Sequence, residues 1–286
     1  MKIYLQKYSE QYKIINYPGG ELQVRLLGDT LAALKRHAEG PWEVDLIARI
    51  YTPEDIIILS LLASAIYGVD PRLRIHLHLP YLPYARADRR FVEGDCYGLA
   101  TFAAIINALK FDSVITLDPH SSVAETQIER LVKTSPKHYI ERAISLFAKA
   151  NKVKSVDILL PDAGAYDRYT GMISRVIDGV DTHFYCATKK RNPSTGEFMG
   201  FEVPDTTGPT LMVDDICDGG GTFIGIANEL RKNGTNHPLG LYVTHGIFSK
   251  GFGPLEDAGI EYTYCTDSYS TILTLDHMVT QFPIKF

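Results

Sequence analysis

Residues 211–222 read LMVDDICDGGGT, an apolar run that carries two acids into a turn with three glycines. The apolar run is typical of a buried strand, and the residues after the glycines have helical spacing. Glycines allow backbone N–H groups to converge on an anion, and the N-terminus of a following helix adds positive charge. The stretch therefore predicts a strand–turn–helix unit that binds phosphate, with Asp214 and Asp215 placed to meet the vicinal hydroxyls of a ribose. The alternative is an acidic turn that only caps a helix.

Similar units recur on both sides of this stretch. Short runs rich in β-branched and apolar residues alternate with longer segments of helical period, a pattern typical of βα units around a mostly parallel sheet. The predicted fold class is therefore α/β. The predicted strands are residues 43–50, 74–80, 113–118, 157–160, 182–187, 210–214, 239–244 and 262–266. The predicted helices are residues 53–67, 96–109, 139–150, 167–177 and 222–232.

The order of these units indicates two similar halves that meet between residues 135 and 150. No low-complexity linker marks the join, so we expect two packed domains, residues 1–140 and 141–286, with the functional site between them. Residues 189–200 contain Asn-Pro and Ser-Thr-Gly with little periodicity and are predicted to form a loop.

Composition excludes several classes of function. The chain has 286 residues, of which 45% are apolar and 22% are charged, and its net charge is −5. No global positive field therefore favours nucleic acid or an anionic membrane as partner. The four cysteines form no CxxC pair, which argues against a zinc site or a disulfide framework. No segment has the ~20 apolar residues that a spanning helix needs. A cytoplasmic protein is expected.

Two further segments carry polar groups at predicted strand ends. Residues 79–90, LPYLPYARADRR, group three arginines with aromatic rings and an acid, and guanidinium groups bind phosphate oxygens in a bidentate manner. Residues 116–120, TLDPH, end with Asp118 and His120, which can orient one another or meet a hydrated metal ion. A solvated basic turn and a structural histidine are the alternatives.

Together these segments resemble ribose-phosphate diphosphokinases. Residues 211–222 resemble the phosphoribosyl diphosphate binding motif that this family shares with type I phosphoribosyltransferases, whereas residues 79–90 resemble a PYxxYARxDR segment that ordinary phosphoribosyltransferases lack. The resemblance runs from Tyr17 to about Asp267 and implies two tandem phosphoribosyltransferase-like domains, each with a mostly parallel sheet flanked by helices. Further similar segments are YPGGE (17–21), PDAG (161–164), KKRNP (189–193) and VTHGIFS (243–249).

The resemblance implies that the N-terminal half binds Mg²⁺-ATP. Arg86 matches the arginine that contacts ATP, and Asp88 and Arg89 follow it in the same segment. His120 matches the histidine that binds Mg²⁺-ATP, with Asp118 as its support.

The resemblance also implies contacts with adenine, through residues 17–21. Tyr17 and Glu21 match the hairpin that reaches the adenine of a neighbouring subunit, so a homo-oligomer with its ATP site at a subunit interface is implied. Ala87 and Gly19 stand where the family has polar residues, which reduces the expected adenine contacts.

The C-terminal half is expected to bind the ribose phosphate. Asp162 matches a family acid that lies by the metal and the acceptor ribose, so His120 and Asp162 are the implied metal residues. Asp214 and Asp215 are assigned to the ribose hydroxyls. The implied phosphate turn consists of Asp218, Gly219, Gly220, Gly221 and Thr222.

Residues 189–193 resemble the Lys-Arg-Arg-Pro loop that stabilises the transition state. Aligned on the proline, Lys190 keeps the catalytic position, and Asn192 replaces the family's arginine. Arg191 and Lys189 are the candidate substitutes for that arginine. The implied catalytic residues are therefore Lys190, Arg191 and Arg86; a solvated basic loop is the alternative.

The reaction implied is transfer of the β,γ-diphosphoryl group of ATP to the C1 hydroxyl of a ribose 5-phosphate-type acceptor, with Mg²⁺ as cofactor and AMP as product. Gly219 stands where the family usually has a threonine, and this loss of a hydroxyl makes ADP-ribose an alternative acceptor. The sequence is also compatible with a phosphoribosyltransferase and with a non-catalytic, associated regulatory subunit.

Overall fold

The computed structural model describes residues 1–37, 43–191, 198–272 and 278–286. The chain divides into two units, the first formed by Met1–Thr134 with Lys285–Phe286 and the second by Ser135–Ile284. A helix at Lys137–Asn151 crosses the boundary expected after residue 140 and belongs wholly to the second unit.

The first unit contains a parallel sheet with helices on it, and a separate β-hairpin. Its sheet has the order β1-β4-β5-β6-β7, and β2 pairs with β3 in the antiparallel hairpin. Its described elements are β1 (Lys2–Leu5), β2 (Tyr12–Asn16), β3 (Leu22–Leu26), α1 (Gly28–His37), β4 (Glu43–Ala48), α2 (Pro53–Tyr67), β5 (Arg74–Leu79), α3 (Gly98–Ala108), β6 (Ser113–Leu117), α4 (Val123–Gln127) and β7 (Leu131–Thr134).

Helix α2 shows how the local sequence determines these elements. The Asp55 N–H donates to the Thr52 hydroxyl and the Thr52 N–H donates to the Asp55 carboxylate, which forms a capping box with Pro53 at the first helical position. Leu59 and Leu62 are fully buried on this helix. The cap starts α2 after β4, and its apolar side chains pack in the core of the first unit.

The second unit has a larger sheet of order β16-β15-β14-β13-β8-β10-β9, parallel except for the β10–β9 pair. Its described elements are α5 (Lys137–Asn151), β8 (Ser155–Leu160), α6 (Ala163–Thr170), β9 (Val176–Ile177), β10 (Val180–Cys186), β11 (Thr188–Arg191), β12 (Phe198–Glu202), β13 (Thr210–Cys217), α7 (Gly221–Lys232), β14 (Leu239–Gly246), α8 (Gly253–Asp257), β15 (Ile260–Thr266) and β16 (Val279–Phe282).

Both faces of this sheet are buried. Leu211 and Val213 of β13 pack in the same cluster as Phe147 of α5, whereas Met212 packs in a second cluster with Phe223 of α7. Side chains alternate between the faces of a strand, so an unbroken apolar run is what a sheet covered on both faces needs. The predicted α/β class is confirmed.

Two predicted elements are wrong. The helix predicted at 167–177 is α6, Ala163–Thr170, because the Asp162 carboxylate accepts the Ala165 N–H and starts the helix earlier; Gly171 ends it. The loop predicted at 189–200 is in its described parts an antiparallel pair, with Lys189 opposite Phe201. Asn192 lies outside the described residues.

None of the helices within the described ranges is both long enough and apolar enough to cross a membrane.

Candidate active site

The connections that follow β8 and β13 lead to opposite sides of the second sheet. These two strands are parallel neighbours. After β8 the chain passes through α6 to β10 on one side, and after β13 it passes through α7 to β14 on the other side. Connections that diverge in this way leave a crevice at the carboxyl ends of the two strands, where open α/β sheets bind ligands. Most residues assigned to the ribose phosphate lie at this edge.

The predicted phosphate turn joins β13 to α7. Gly220 has φ of +75° and a Cβ there would lie 3.0 Å from Leu255 Cδ2, so this position requires glycine. A Cβ on Gly221 would meet nothing within 4 Å. Helix α7 begins at Gly221, so its first N–H groups are directed at the same space. The turn thus has the geometry of an anion site with open room beside it.

The two acids of β13 form a close pair in front of this turn. The Asp215 N–H donates to Asp214 Oδ1 at 2.9 Å. Asp215 Oδ2 lies 3.4 Å from Arg168 Nη1, and its side chain is 4% exposed. Desolvation by burial raises the pKa of Asp214 well above its ordinary value, and the charge of Asp215 raises it further. The pair can therefore hold a shared proton or accept hydrogen bonds from vicinal hydroxyls.

Asp162 follows β8 and faces the same edge. Its Oδ1 accepts the Ala165 N–H at 3.1 Å, and its Oδ2 lies 3.3 Å from Lys189 Nζ. The charge of Asp162 is also one of the influences that raise the pKa of Asp214. The ends of β8, β11 and β13 therefore meet, and they bring Asp162, Lys189 and the β13 acids together.

The remaining residues of the basic segment follow Lys189 in β11. Lys190 is exposed and lies opposite Gly200 in the hairpin, with an irregularity in pairing between Lys190 and Arg191. Arg191 ends the strand, and its side chain is outside the part of the structure described. Since successive strand residues face opposite sides, Lys189 and Lys190 extend from different faces of β11.

Four residues assigned to Mg²⁺-ATP lie in the first unit, in loops at the carboxyl ends of its strands: Arg86, Asp88, Arg89 and His120. Asp88, in the loop after β5, is buried and accepts from Arg89 Nε at 2.9 Å and Nη2 at 3.2 Å. This pairing holds the pKa of Asp88 below its usual range, and His120, after β6, contributes to the same effect. Arg86 is exposed in the same loop. The loops after β5 and β6 therefore meet around Asp88, with His120 beside it.

The predicted adenine contacts lie in the turn between β2 and β3. The Tyr17 N–H donates to the Glu21 carbonyl at 2.9 Å, and the Tyr17 side chain is 48% exposed. A Cβ on Gly19 would lie 2.8 Å from Glu21 Oε2. Glycine at this position therefore allows the Glu21 carboxylate to fold over the turn.

Two residues at these edges were missed by the sequence analysis. Arg168 pairs with Asp215, but nothing in the AYDRYT segment of α6 distinguishes a partly buried arginine from an exposed one. Lys250, after β14, lies against the phosphate turn: a Cβ on Gly219 would be 3.4 Å from Lys250 Cε. Its only signal was its place directly after the family-like residues 243–249.

The donor groups fit a metal ion that arrives with a nucleotide. Among the residues that the structure describes, no group of three or more His, Cys, Asp or Glu side chains is placed to enclose a metal ion. Mg²⁺ is usually held by one or two carboxylates together with water and substrate phosphates, so a complete protein cage is not needed. Asp162, with its side chain 45% exposed, is a carboxylate of this kind.

Comparison with known proteins finds similarity over most of the chain. The chain is 24% identical over 263 residues to a ribose-phosphate pyrophosphokinase from Sulfurisphaera tokodaii, covering 90% of this chain and 87% of the relative. It is 28% identical over 241 residues to one from Pyrococcus abyssi, covering 84% and 77%. No protein-family model matches the sequence.

The fold is also similar to a solved structure. The crystal structure of phosphoribosylpyrophosphate synthetase from Mycobacterium smegmatis superposes with a TM-score of 0.71 at 18% identity, covering 95% of this chain and 85% of that one. The predicted phosphoribosyltransferase-type fold is therefore confirmed. The resemblance seen in the motifs is confirmed over most of the chain, at an identity that marks a divergent relative.

Proposed function

We propose that this chain, a divergent relative of the ribose-phosphate pyrophosphokinases, transfers the β,γ-diphosphoryl group of ATP to the C1 hydroxyl of a ribose 5-phosphate-type acceptor and releases AMP. The observation that carries the proposal is the crevice between β8 and β13, where a glycine turn, two acids and a lysine–aspartate pair meet. The same grouping supports an acceptor that has both a phosphate and free ribose hydroxyls.

The acceptor would be held at both ends. Backbone N–H groups of the turn and of the first residues of α7 bind its phosphate. Asp214 and Asp215 accept hydrogen bonds from its ribose hydroxyls, with Asp215 held in place by Arg168. Two fixed ends leave the C1 hydroxyl in one orientation, and such positioning accounts for much of the rate in diphosphoryl transfer.

Cations would offset the charge that develops as the P–O bond to AMP breaks. We assign this role to Lys190, Arg191 and Arg86. Lys189 is already paired with Asp162 at 3.3 Å, so its first role is to position that carboxylate. This division of roles between two adjacent lysines is open to direct test.

Mg²⁺ bound together with ATP would reduce the negative charge on the phosphates. His120 and Asp162 are the residues we assign to it. Asp88 and Arg89, in the loop that carries Arg86, pair with one another through two hydrogen bonds, at 2.9 and 3.2 Å. We further propose a homo-oligomer in which Tyr17 and Glu21 contact the adenine bound by a neighbouring subunit.

A second acceptor, ADP-ribose, is favoured by one observation. A Cβ on Gly221 would meet nothing within 4 Å. A phosphate that continues into a second phosphate and a nucleoside needs this kind of room. Ribose 5-phosphate remains the first choice, because backbone donors alone can bind a terminal phosphate.

The test is AMP formation by the purified chain with Mg²⁺-ATP and a panel of acceptors: ribose 5-phosphate, ADP-ribose and unphosphorylated ribose. Products are identified by mass, and kcat/KM is compared between acceptors. Activity confined to ADP-ribose would assign that acceptor. A phosphoribosyltransferase would instead consume phosphoribosyl diphosphate without ATP, and a non-catalytic subunit would form no AMP with any acceptor.

A further inference from the structure

The loop after β14 is fixed against the phosphate turn by backbone hydrogen bonds. The Ile247 N–H donates to the Cys217 carbonyl at 2.9 Å, and the Ser249 N–H donates to the Asp218 carbonyl at 3.2 Å. Lys250 follows directly. Its position relative to the turn is therefore determined by the fold and not by the side chain alone.

The stem of Lys250 lies along Gly219. A Cβ built on Gly219 would be 3.4 Å from Lys250 Cε, 3.5 Å from Cδ and 3.8 Å from Cγ. A longer side chain at position 219 would therefore compete with the lysine stem for the same space. Lys250 is exposed, so its ammonium group can reach solvent while its methylenes lie beside the turn.

A cation at this position would complement the charges of the turn. Residues 219–221 are glycines and offer no side-chain donors, while the exposed Asp218 places a negative charge at the start of the turn. A phosphate bound there would meet this carboxylate, and the donors within the turn, its backbone N–H groups and the Thr222 hydroxyl, carry no formal charge. Lysine binds phosphate as a mobile point charge and tolerates several phosphate positions.

We infer that Lys250 binds the phosphoryl group on C5 of the acceptor ribose and supplies the charged donor that the glycine turn lacks. The inference rests on the proposed function for the identity of the acceptor. The same phosphoryl group belongs to a terminal monoester in ribose 5-phosphate and to a diphosphate in ADP-ribose, so both are probes.

The experiment compares Lys250→Met, which keeps the stem and removes the charge, with Lys250→Arg and with Lys149→Met. Lys149 is exposed in the last turn of α5, which precedes β8 and so lies at the opposite edge of the same sheet. Calorimetric Kd values are measured for ribose 5-phosphate, ADP-ribose and unphosphorylated ribose, together with KM for ATP.

Lys250→Met should weaken binding of a phosphorylated acceptor by about 10-fold or more, as loss of a hydrogen bond to a charged group does, whereas the KM for ATP should change less than about twofold. Unphosphorylated ribose should show no difference. Lys250→Arg should retain most of the affinity, and Lys149→Met should match the wild type. Gly219→Thr in a Lys250→Ala background should recover part of the affinity that Lys250→Ala loses, since it returns a hydroxyl to the turn where the stem no longer occupies the space.

The outcomes separate the two proposals. If the wild type forms AMP but Lys250→Met binds both phosphorylated acceptors normally, the inference on Lys250 is overturned and the proposed function stands. If binding depends on Lys250 but no acceptor yields AMP, the inference stands and the proposed function fails. If the wild type binds neither acceptor, both are overturned.

Discussion

Arg168 of α6 is ion-paired with Asp215 of β13, with 3.4 Å between Nη1 and Oδ2. The same helix begins at Ala163 and is capped by the carboxylate of Asp162. One helix therefore has an acid of the candidate site as its N-cap and a positioning arginine six residues later. Through this helix the carboxyl ends of β8 and β13 are held in a fixed relation.

Arg168→Met should destabilise the protein and weaken acceptor binding. The Asp215 side chain is 4% exposed and that of Arg168 24%, so the variant leaves a buried carboxylate without its cation. Breaking a buried pair costs about 3–5 kcal/mol, and the partial exposure of Arg168 places the expected loss near the lower end. Urea unfolding gives the free energy, and KM for the acceptor and for ATP gives the binding effect.

The control for this variant is Arg175→Met. Arg175 is exposed and stacks on Phe184 at 4.4 Å, outside the site. Adding Asp215→Asn to Arg168→Met should recover part of the stability, because the unpaired charge is then removed. If the double variant is no more stable than Arg168→Met, the ion pair does not account for the loss.

Lys190→Ala should lower kcat by about 100-fold or more with a smaller effect on KM, because a cation that meets charge in the transition state acts mainly there. Lys189→Ala is the matched control, since it removes the neighbouring lysine that pairs with Asp162. We expect it to change acceptor KM more than kcat. The reverse pattern would assign the catalytic role to Lys189.

The strand–turn–helix at residues 210–232 was predictable because its signals are local. An apolar run, two acids and three glycines follow one another. The apolar run predicts the strand, and the glycines predict the turn before the helix. The ends of β8 and β6 were found for the same reason. In each case the polar residue directly follows a buried strand.

The contacts between elements were not predictable in this way. The pairing of β11 with β12 depends on residues 198–202 returning to residues 188–191, and neither segment shows a clear alternation. The Arg168–Asp215 pair joins residues of two elements that only the sheet order brings together. Asp162 was interpreted as a ligand, and its second role as the cap of α6 is why the helix starts before the predicted residue.

Asp214→Asn should stabilise the protein increasingly as pH rises. The folded-state pKa of Asp214 is raised, so the folded chain binds more protons than the unfolded chain between the two pKa values, and stability falls as pH rises through that interval. The loss of stability is absent below the unfolded-state pKa, ~3.9, and complete above the folded-state pKa. We expect a gain of roughly 1 kcal/mol or more at neutral pH, as stability–function trade-offs often give.

The measurement is the melting temperature of Asp214→Asn and wild type across the pH range, with Asp218→Asn, an exposed acid of the turn, as control. Asparagine can still accept the Asp215 N–H, so the backbone contact is kept. A difference that is the same at every pH would contradict the assignment. Acceptor KM should rise in Asp214→Asn, because a carboxylate acceptor for ribose hydroxyls is lost.

His120→Ala should raise the concentration of Mg²⁺-ATP needed for half-maximal rate by about 10-fold, as loss of one ligand-binding contact does, and leave acceptor KM unchanged. His138, an exposed residue beside Tyr139 at 4.2 Å, supplies the control His138→Ala. If His120→Ala changed only the acceptor KM, this histidine would act on the acceptor and not on Mg²⁺-ATP.

Gly220→Ala should damage the phosphate turn, whereas Gly221→Ala should not destabilise it. Gly220 has φ of +75°, and a Cβ would lie 3.0 Å from Leu255 Cδ2. The left-handed backbone costs an L-residue roughly 1–2 kcal/mol, and the contact with Leu255 adds to it. Gly221 starts α7 with open space at its Cβ, so alanine there is neutral or stabilising by up to about 1 kcal/mol. Urea unfolding of the two variants gives this comparison directly.

Acceptor KM should rise in Gly220→Ala with KM for ATP unchanged, because the N–H groups of the turn no longer converge on the phosphate. If Gly220→Ala is as stable as the wild type and binds the acceptor equally well, the turn does not hold the phosphate in the conformation described.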